Sequence, residues 1–222
     1  MEKRTLRVTG KGSLRLTPDM TRLTLTVTGK FAEYGEVLRH SSEDTEKLKD
    51  VLEALGFARE SMKTLSFDVD PQYESYTDEN HNYRQKFVGY VFRHVLKLEF
   101  ASDSDLLGRT LYALGHSSVE PELQLSYFVK DQEKAKNELL GRAVEDAAQK
   151  AKVLAAAAGI VLKEILTIDY SWDELNFEVT PMFRSMSTGY GNAKMASASY
   201  DMNISPDDVE VSDTVTVVWE IG

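Results

Sequence analysis

The chain has 222 residues, 42% of them hydrophobic and 28% charged, enough to bury a sizeable core as one large domain or two small ones. Its 36 Asp and Glu against 26 Lys and Arg give a formal charge of −10, which repels a phosphate backbone, and no basic cluster offsets it, so no nucleic-acid partner is expected. With no cysteine in the sequence, disulfides, thiolate metal sites and a cysteine nucleophile are excluded.

The opening stretch MEKRTLRVTGKGSLRLTPDM contains no apolar run of about 7–15 residues of the kind a secretory signal carries. No segment reaches the roughly 18 uncharged apolar residues of a membrane span. As it stands the chain is expected in the cytoplasm, or in the periplasm or cell envelope if a leader has been removed, with no membrane span.

Leu6 and Val8, Leu14 and Leu16, then Leu23, Leu25 and Val27 alternate with polar residues. A period of two predicts strands at about 4–17 and 20–31, read as an antiparallel pair joined at Pro18-Asp19. From 33 to 55 the period changes to that of a helix on Val37, Leu48, Val51, Leu52 and Leu55, stopped by Gly56. Strands return at about 62–73 and 85–100, with DENHN at the tip of a long hairpin. A short helix at 103–115, capped by Asp103 or Ser104, precedes a strand at about 122–129.

A long helix follows, with Asp131 as N-cap, Glu133 favourable to the helix dipole and Gly159 as its end. Its alanine-rich second half predicts a buried stripe of Leu140, Ala143 or Val144, Ala147, Ala151, Leu154 and Ala158, with Asp146 and Lys150 as an i, i+4 ion pair on the wet side. Strands at 162–172 and 209–221 close the chain. The order β-β-α-β-β-α-β-α-β-β predicts an α+β fold, mainly antiparallel sheet with helices packed on it.

Between those last strands, about 173–205 reads as a long loop. It carries Met182, Phe183, Met186, Tyr190, Met195, Tyr200 and Met202, adaptable and aromatic contact residues that make it the candidate interaction loop.

Chemistry-bearing motifs are sparse. GKGSLR and GYGNAK lack the third glycine of a dinucleotide loop, and the first lies in a strand region. His40, His81, His94 and His116 have no metal-binding spacing, and His94, alternating in a strand, reads as a structural histidine. Asp68, Asp70, Asp78, Glu79 and His81 lack the glycine of a calcium loop. No catalytic residue, cofactor or metal is expected.

RVTGKGSLRLTPDMTRLTLTVTG, LKDVLEALGF, GYVFRHVLKLEF, AVEDAAQKAKVLAAAAGI and ISPDDVEVSDTVTVVWEI, in that order, resemble the SIMPL-domain family. That family includes bacterial periplasmic or surface immunogenic proteins and an animal protein named for associating with a Pelle-like kinase. Gly10, Gly12, Pro18, Asp19, Asp146, Ala147, Lys150, Ala151 and Gly159 match its pattern. The resemblance implies a single α+β domain over 1–222 with a tendency to self-assemble and no catalytic residues to carry over. The expected function is that of a non-enzymatic, homo-oligomeric protein, envelope- or stress-associated, acting through protein contacts. A small-ligand site in a cleft between helices and sheet is the alternative, and an enzyme with dispersed carboxylates a third.

Overall fold

A computed structural model of the chain describes residues 4–170, 175–181 and 206–222. The fold is α+β, with three helices among the described residues and antiparallel strands throughout the paired registers. Two compact units form: the first from the chain up to Asp19 with Phe128–Val179 and Pro206–Gly222, the second on Met20–Tyr127.

The first unit contains strand β1 (Thr5–Leu16), helix α3 (Gln132–Ala158), strand β6 (Leu162–Tyr170), the two-residue strand β7 (Glu178–Val179) and strand β8 (Val209–Ile221). Its sheet has the order β1-β8-β6, so the last strand in sequence lies in the middle. β1 and β8 pair without a break from Thr5↔Glu220 to Leu16↔Val209. Val8, Gly10, Gly12 and Leu14 form the buried face of β1. Two of those four are glycines because α3 lies directly on them. A Cβ on Gly10 would sit 2.0 Å from the Ala143 carbonyl oxygen and 2.4 Å from the Ala147 nitrogen, and one on Gly12 would sit 2.2 Å from the Leu139 carbonyl oxygen. The glycines of β1 and the alanines of α3 are thus two halves of one contact at backbone distance.

That contact selects which helix row is buried. It is Ala135, Leu139, Ala143, Ala147, Ala151 and Ala155, a strict i+4 row of the kind that forms a packing ridge. The predicted stripe is right at Ala143, Ala147 and Ala151, but Leu154 is 48% exposed and Ala158 is also exposed. The Asp131 carboxylate accepts from the Lys134 N–H at 2.9 Å, and Gly159 ends the helix at φ 66°, the left-handed conformation glycine adopts without strain.

Residues 175–181 depart from the loop expectation. Phe177 is 2% exposed and packs with Leu14, Leu139, Val209 and Val211. Leu175 and Val179 pack beside the same cluster, so an alternating apolar row seats the segment there.

The second unit contains β2 (Met20–Phe31), α1 (Tyr34–Glu53), a single 3-10 turn at Arg59–Ser61, β3 (Met62–Thr77), β4 (Tyr83–Ala101), α2 (Ser104–Gly115) and β5 (Glu122–Phe128). Its strands run in the order β3-β4-β2-β5. Leu23, Leu25, Val27, Phe92, Leu96 and Leu98 of the sheet meet Val37, Leu48 and Leu52 of α1 and Leu107 and Leu114 of α2. Asp103 caps α2 by accepting from the Leu106 N–H at 2.9 Å.

The expected β1–β2 hairpin does not form. β1 pairs with β8, and β2 pairs with β4 from Met20↔Ala101 to Phe31↔Tyr90. Thr17-Pro18-Asp19 lacks the two-residue primed turn that brings strands back together, and Asp19 instead accepts from the Lys130 N–H at 2.8 Å. The apolar faces of the two strands then serve different helices.

Candidate functional site

β1 ends its sheet, and a strand with one free side presents unpaired N–H and C=O groups to any second strand. Here α3 occupies them. Because the helix lies at backbone distance, side chains spaced four apart along it hang over the free side of the strand. Arg142 donates to the Ser13 carbonyl at 3.0 Å, the Asp146 carboxylate accepts from the Lys11 N–H at 2.7 Å, and Lys150 donates to the Thr9 carbonyl at 3.4 Å. Lys150 also pairs with Asp146 at 2.7 Å. The Asp146 carboxyl is held below the usual aspartate range, first by Lys150 and then by the Lys11 N–H. The edge of β1 is therefore closed to strand addition.

His94, on β4, is a structural hub. Its Nδ1 lies 3.1 Å from Ser41 Oγ and 3.3 Å from Thr45 Oγ1, and its Nε2 lies 3.0 Å from Thr64 Oγ1. Thr45 donates its own proton to the Ser41 carbonyl at 2.8 Å, and the hydroxyls of Ser41 and Thr64 can each donate or accept, so both ring nitrogens have a partner. Burial, and then the charge of Lys49, push the His94 pKa down. The neutral ring ties α1 to β4 and β3.

Two sheet faces outrun the helices that cover the rest of their sheets. In the first unit, Ile165 and Ile168 stand opposite Trp219 and Val217, on the face that α3 covers elsewhere, yet they are 49% and 47% exposed. In the second unit β3 and β4 continue past the end of β2 as a two-stranded ribbon, pairing on from Gln72↔Gly89 to Thr77↔Tyr83. At the start of the ribbon the register shifts by one residue at Val88. Gly89 is buried there at φ 128°, and a Cβ on it would sit 2.3 Å from the Phe31 carbonyl oxygen. The bulge preserves facing: Pro71, Tyr73, Ser75 and Thr77, with Tyr83, Gln85, Phe87 and Tyr90, all lie on the side that carries His94 and α1.

Tyr34, at the start of α1, packs edge-on against Tyr90, Tyr90 against Phe87 and Phe87 against Tyr73, with centroids 5.5, 5.1 and 5.7 Å apart. The tip is closed by Asp78, which accepts from the Asn80 and Asn82 N–H groups at 3.0 and 2.9 Å and pairs with Arg84 at 3.0 Å. The acidic residue that suggested a calcium loop is spent on the turn. Sequence reading placed this hairpin and missed its aromatic face, although uncharged residues at every second position of YESYT and YRQKF mark it.

A depression of about 580 Å³ in the first unit is lined by Lys11, Arg15, Arg142, Glu210 and neighbouring residues. Arg15 is paired with Glu210 and Asp208, and Arg142 with Glu138 and the Ser13 carbonyl, so two of its cations are already engaged. The predicted interaction-loop residues Met182, Phe183, Met186, Tyr190, Met195, Tyr200 and Met202 lie outside the described residues.

The features that join α3 to β1 at Gly10, Gly12, Asp146, Ala147 and Lys150 span the chain from one end of the sequence to the last helix. A family model matches residues 6–219, an extent that includes all of them, under the description SIMPL, protein of unknown function (DUF541). The chain belongs to the SIMPL family. Two relatives share the name 26 kDa periplasmic immunogenic protein. The one from Brucella abortus is 28% identical and the one from Brucella melitensis 27%, each over 218 residues that cover 96% of this chain and 83% of the relative. Their name places those relatives in the periplasm, which lends the expected cytoplasmic location no support. No helix of the described residues is long and apolar enough to cross a membrane.

Proposed function

We propose that this SIMPL protein is a non-enzymatic, self-associating protein of the bacterial cell envelope that acts through protein contacts. The observation that carries the reading is the pair of apolar sheet faces left bare where the sheets outrun their helices, at Ile165 and Ile168 and along Tyr73, Tyr83 and Phe87. Bare apolar surface rimmed by polar residues marks an interaction site. The closed edge of β1 leaves that strand out of any assembly by strand addition. The hydroxyl partners of both His94 nitrogens, with no carboxylate behind the ring, favour structure over catalysis. The periplasmic name of the two relatives supports the location.

Sedimentation velocity from about 1 to 500 μM tests the assembly: a mass that rises with concentration is expected, and a constant 25.0 kDa species would sink it. Osmotic-shock fractionation of cells making the native protein tests the location, with release alongside periplasmic markers expected and retention with cytosolic markers counting against it.

A further inference from the structure

The charged side chains of the ribbon all lie on one face, together with Gln72 and Tyr76. On the α1 side stand Tyr73, Ser75, Thr77, Tyr83, Gln85 and Phe87, none of them charged, while Glu74, Arg84 and Lys86 point the other way, Glu74 pairing with Lys30 at 3.7 Å. A two-stranded ribbon is marginal in water by itself, and this one exposes Tyr83 by 88% and Tyr73 by 54%. We propose that this uncharged face is where two copies of the chain meet, ribbon on ribbon, across a two-fold axis. The proposal rests on the self-associating reading above and names its surface.

Two properties of the face select a second copy as its occupant. The first is charge. Two chains of formal charge −10 repel each other, so they approach best through a patch that carries no charge of its own. The second is self-complementarity. Tyr73 and Phe87 sit at the base, Tyr83 at the tip, and Ser75 with Gln85 between them. When two such ribbons run antiparallel, the tip tyrosine of each lies over the base aromatics of the other, and the hydroxyl and amide of the middle meet their own kind, which both donates and accepts. The six residue pairs of the ribbon make a face about 20 Å long, well short of the roughly 800 Å² per partner of a standard interface, and Tyr34 and Leu38, 49% and 45% exposed and one turn apart on α1, extend it from its base.

The natural absence of cysteine makes the test clean. In a two-fold contact a residue near the axis meets its own copy, so Ser75→Cys is expected to form a disulfide-linked dimer under mild oxidation, while Lys86→Cys on the charged face is not. Tyr83→Lys with Phe87→Lys, both outside the core, is expected to raise the dissociation constant of the wild-type assembly at least about tenfold, as loss of central aromatic contacts does. Circular dichroism identical to wild type shows that the variants are folded. Wild-type assembly with no Ser75→Cys cross-link and no change in the double variant overturns the proposal and leaves self-association standing. A wild-type monomer throughout overturns both. If the thiol of the Ser75→Cys variant is protected from a thiol reagent only on addition of phosphatidylglycerol vesicles, the face belongs to a membrane and the second copy is overturned as its occupant.

Discussion

The two helices that carry most of each unit's packing do so in opposite ways. α1 meets its sheet with Val37, Leu48 and Leu52 against Leu23, Leu25, Phe92 and Leu96, large side chains that fill a separation. α3 meets β1 with alanines against glycines and no separation to fill. Where bulk holds a helix the contact fails by loss of volume; where the absence of bulk holds it, the contact fails by gain. Close approach also lets the flanking charges of α3 reach the strand backbone and take the place of a neighbouring strand.

The comparison breaks first in the second unit. Leu48→Ala empties a fully buried site and is expected to cost about 2–5 kcal/mol in chemical denaturation, whereas Leu48→Met, which keeps the volume, should cost less than about 1.5 kcal/mol. In the first unit the asymmetry reverses. Gly10→Ala adds one carbon against the Ala143 carbonyl, which is backbone and cannot rotate away, at an expected cost of about 3 kcal/mol. Native-state hydrogen exchange should show the loss at the amides of α3. An unchanged unfolding midpoint for that variant would contradict the close contact. Ala147→Leu overpacks the same junction from the helix side, where a side chain can partly bend aside, so about 1–3 kcal/mol is expected from the same titration.

The smallest effect is acid sensitivity, and it sharpens the contrast by its pH window. His94 has a lowered pKa in the folded state, so the unfolded chain binds its proton first. Stability from the neutral ring is full above about pH 6.5 and declines as pH falls below that value. Asp146 is also lowered, but its contribution is lost only below about pH 4, where an ordinary aspartate takes up its proton. The melting temperature of wild type should therefore fall more steeply than that of His94→Gln as the pH drops below about 6.5. Parallel curves would remove His94 from the junction of α1 with the sheet.

Local rules made much of this legible. Asp103, Asp131 and Gly159 announced helix ends because capping is a matter of three or four residues. The alternation of β1 and β2 identified both as strands but not their partners, since period-two patterns look alike whether a strand pairs with its neighbour or with one about two hundred residues away. The alternation of Leu175, Phe177 and Val179 covers only five residues, too few for the period to stand out from its polar surroundings. The charges at Asp146 and Lys150 read as solvated because helix periodicity says which face a residue is on, not that β1 lies beneath its margin. The aromatic face of the ribbon was readable in principle. It was missed because exposed alternation looks like a half-buried strand until the missing helix is seen.

The central place of β8 in its sheet has a consequence for synthesis. Its residues are made about two hundred residues after those of β1, and until they arrive β1 and β6 have no strand between them and the alanine row of α3 has only β1 to lie on. At about 5–20 residues per second the ribosome leaves β1 waiting roughly 10–40 s for its partner. The second unit lies on Met20–Tyr127, and its β2, β3 and β4 can pair well before then. The nascent chain is thus expected to fold its second unit first and to present Val8 and the Ala143–Ala151 row to chaperones until β8 emerges.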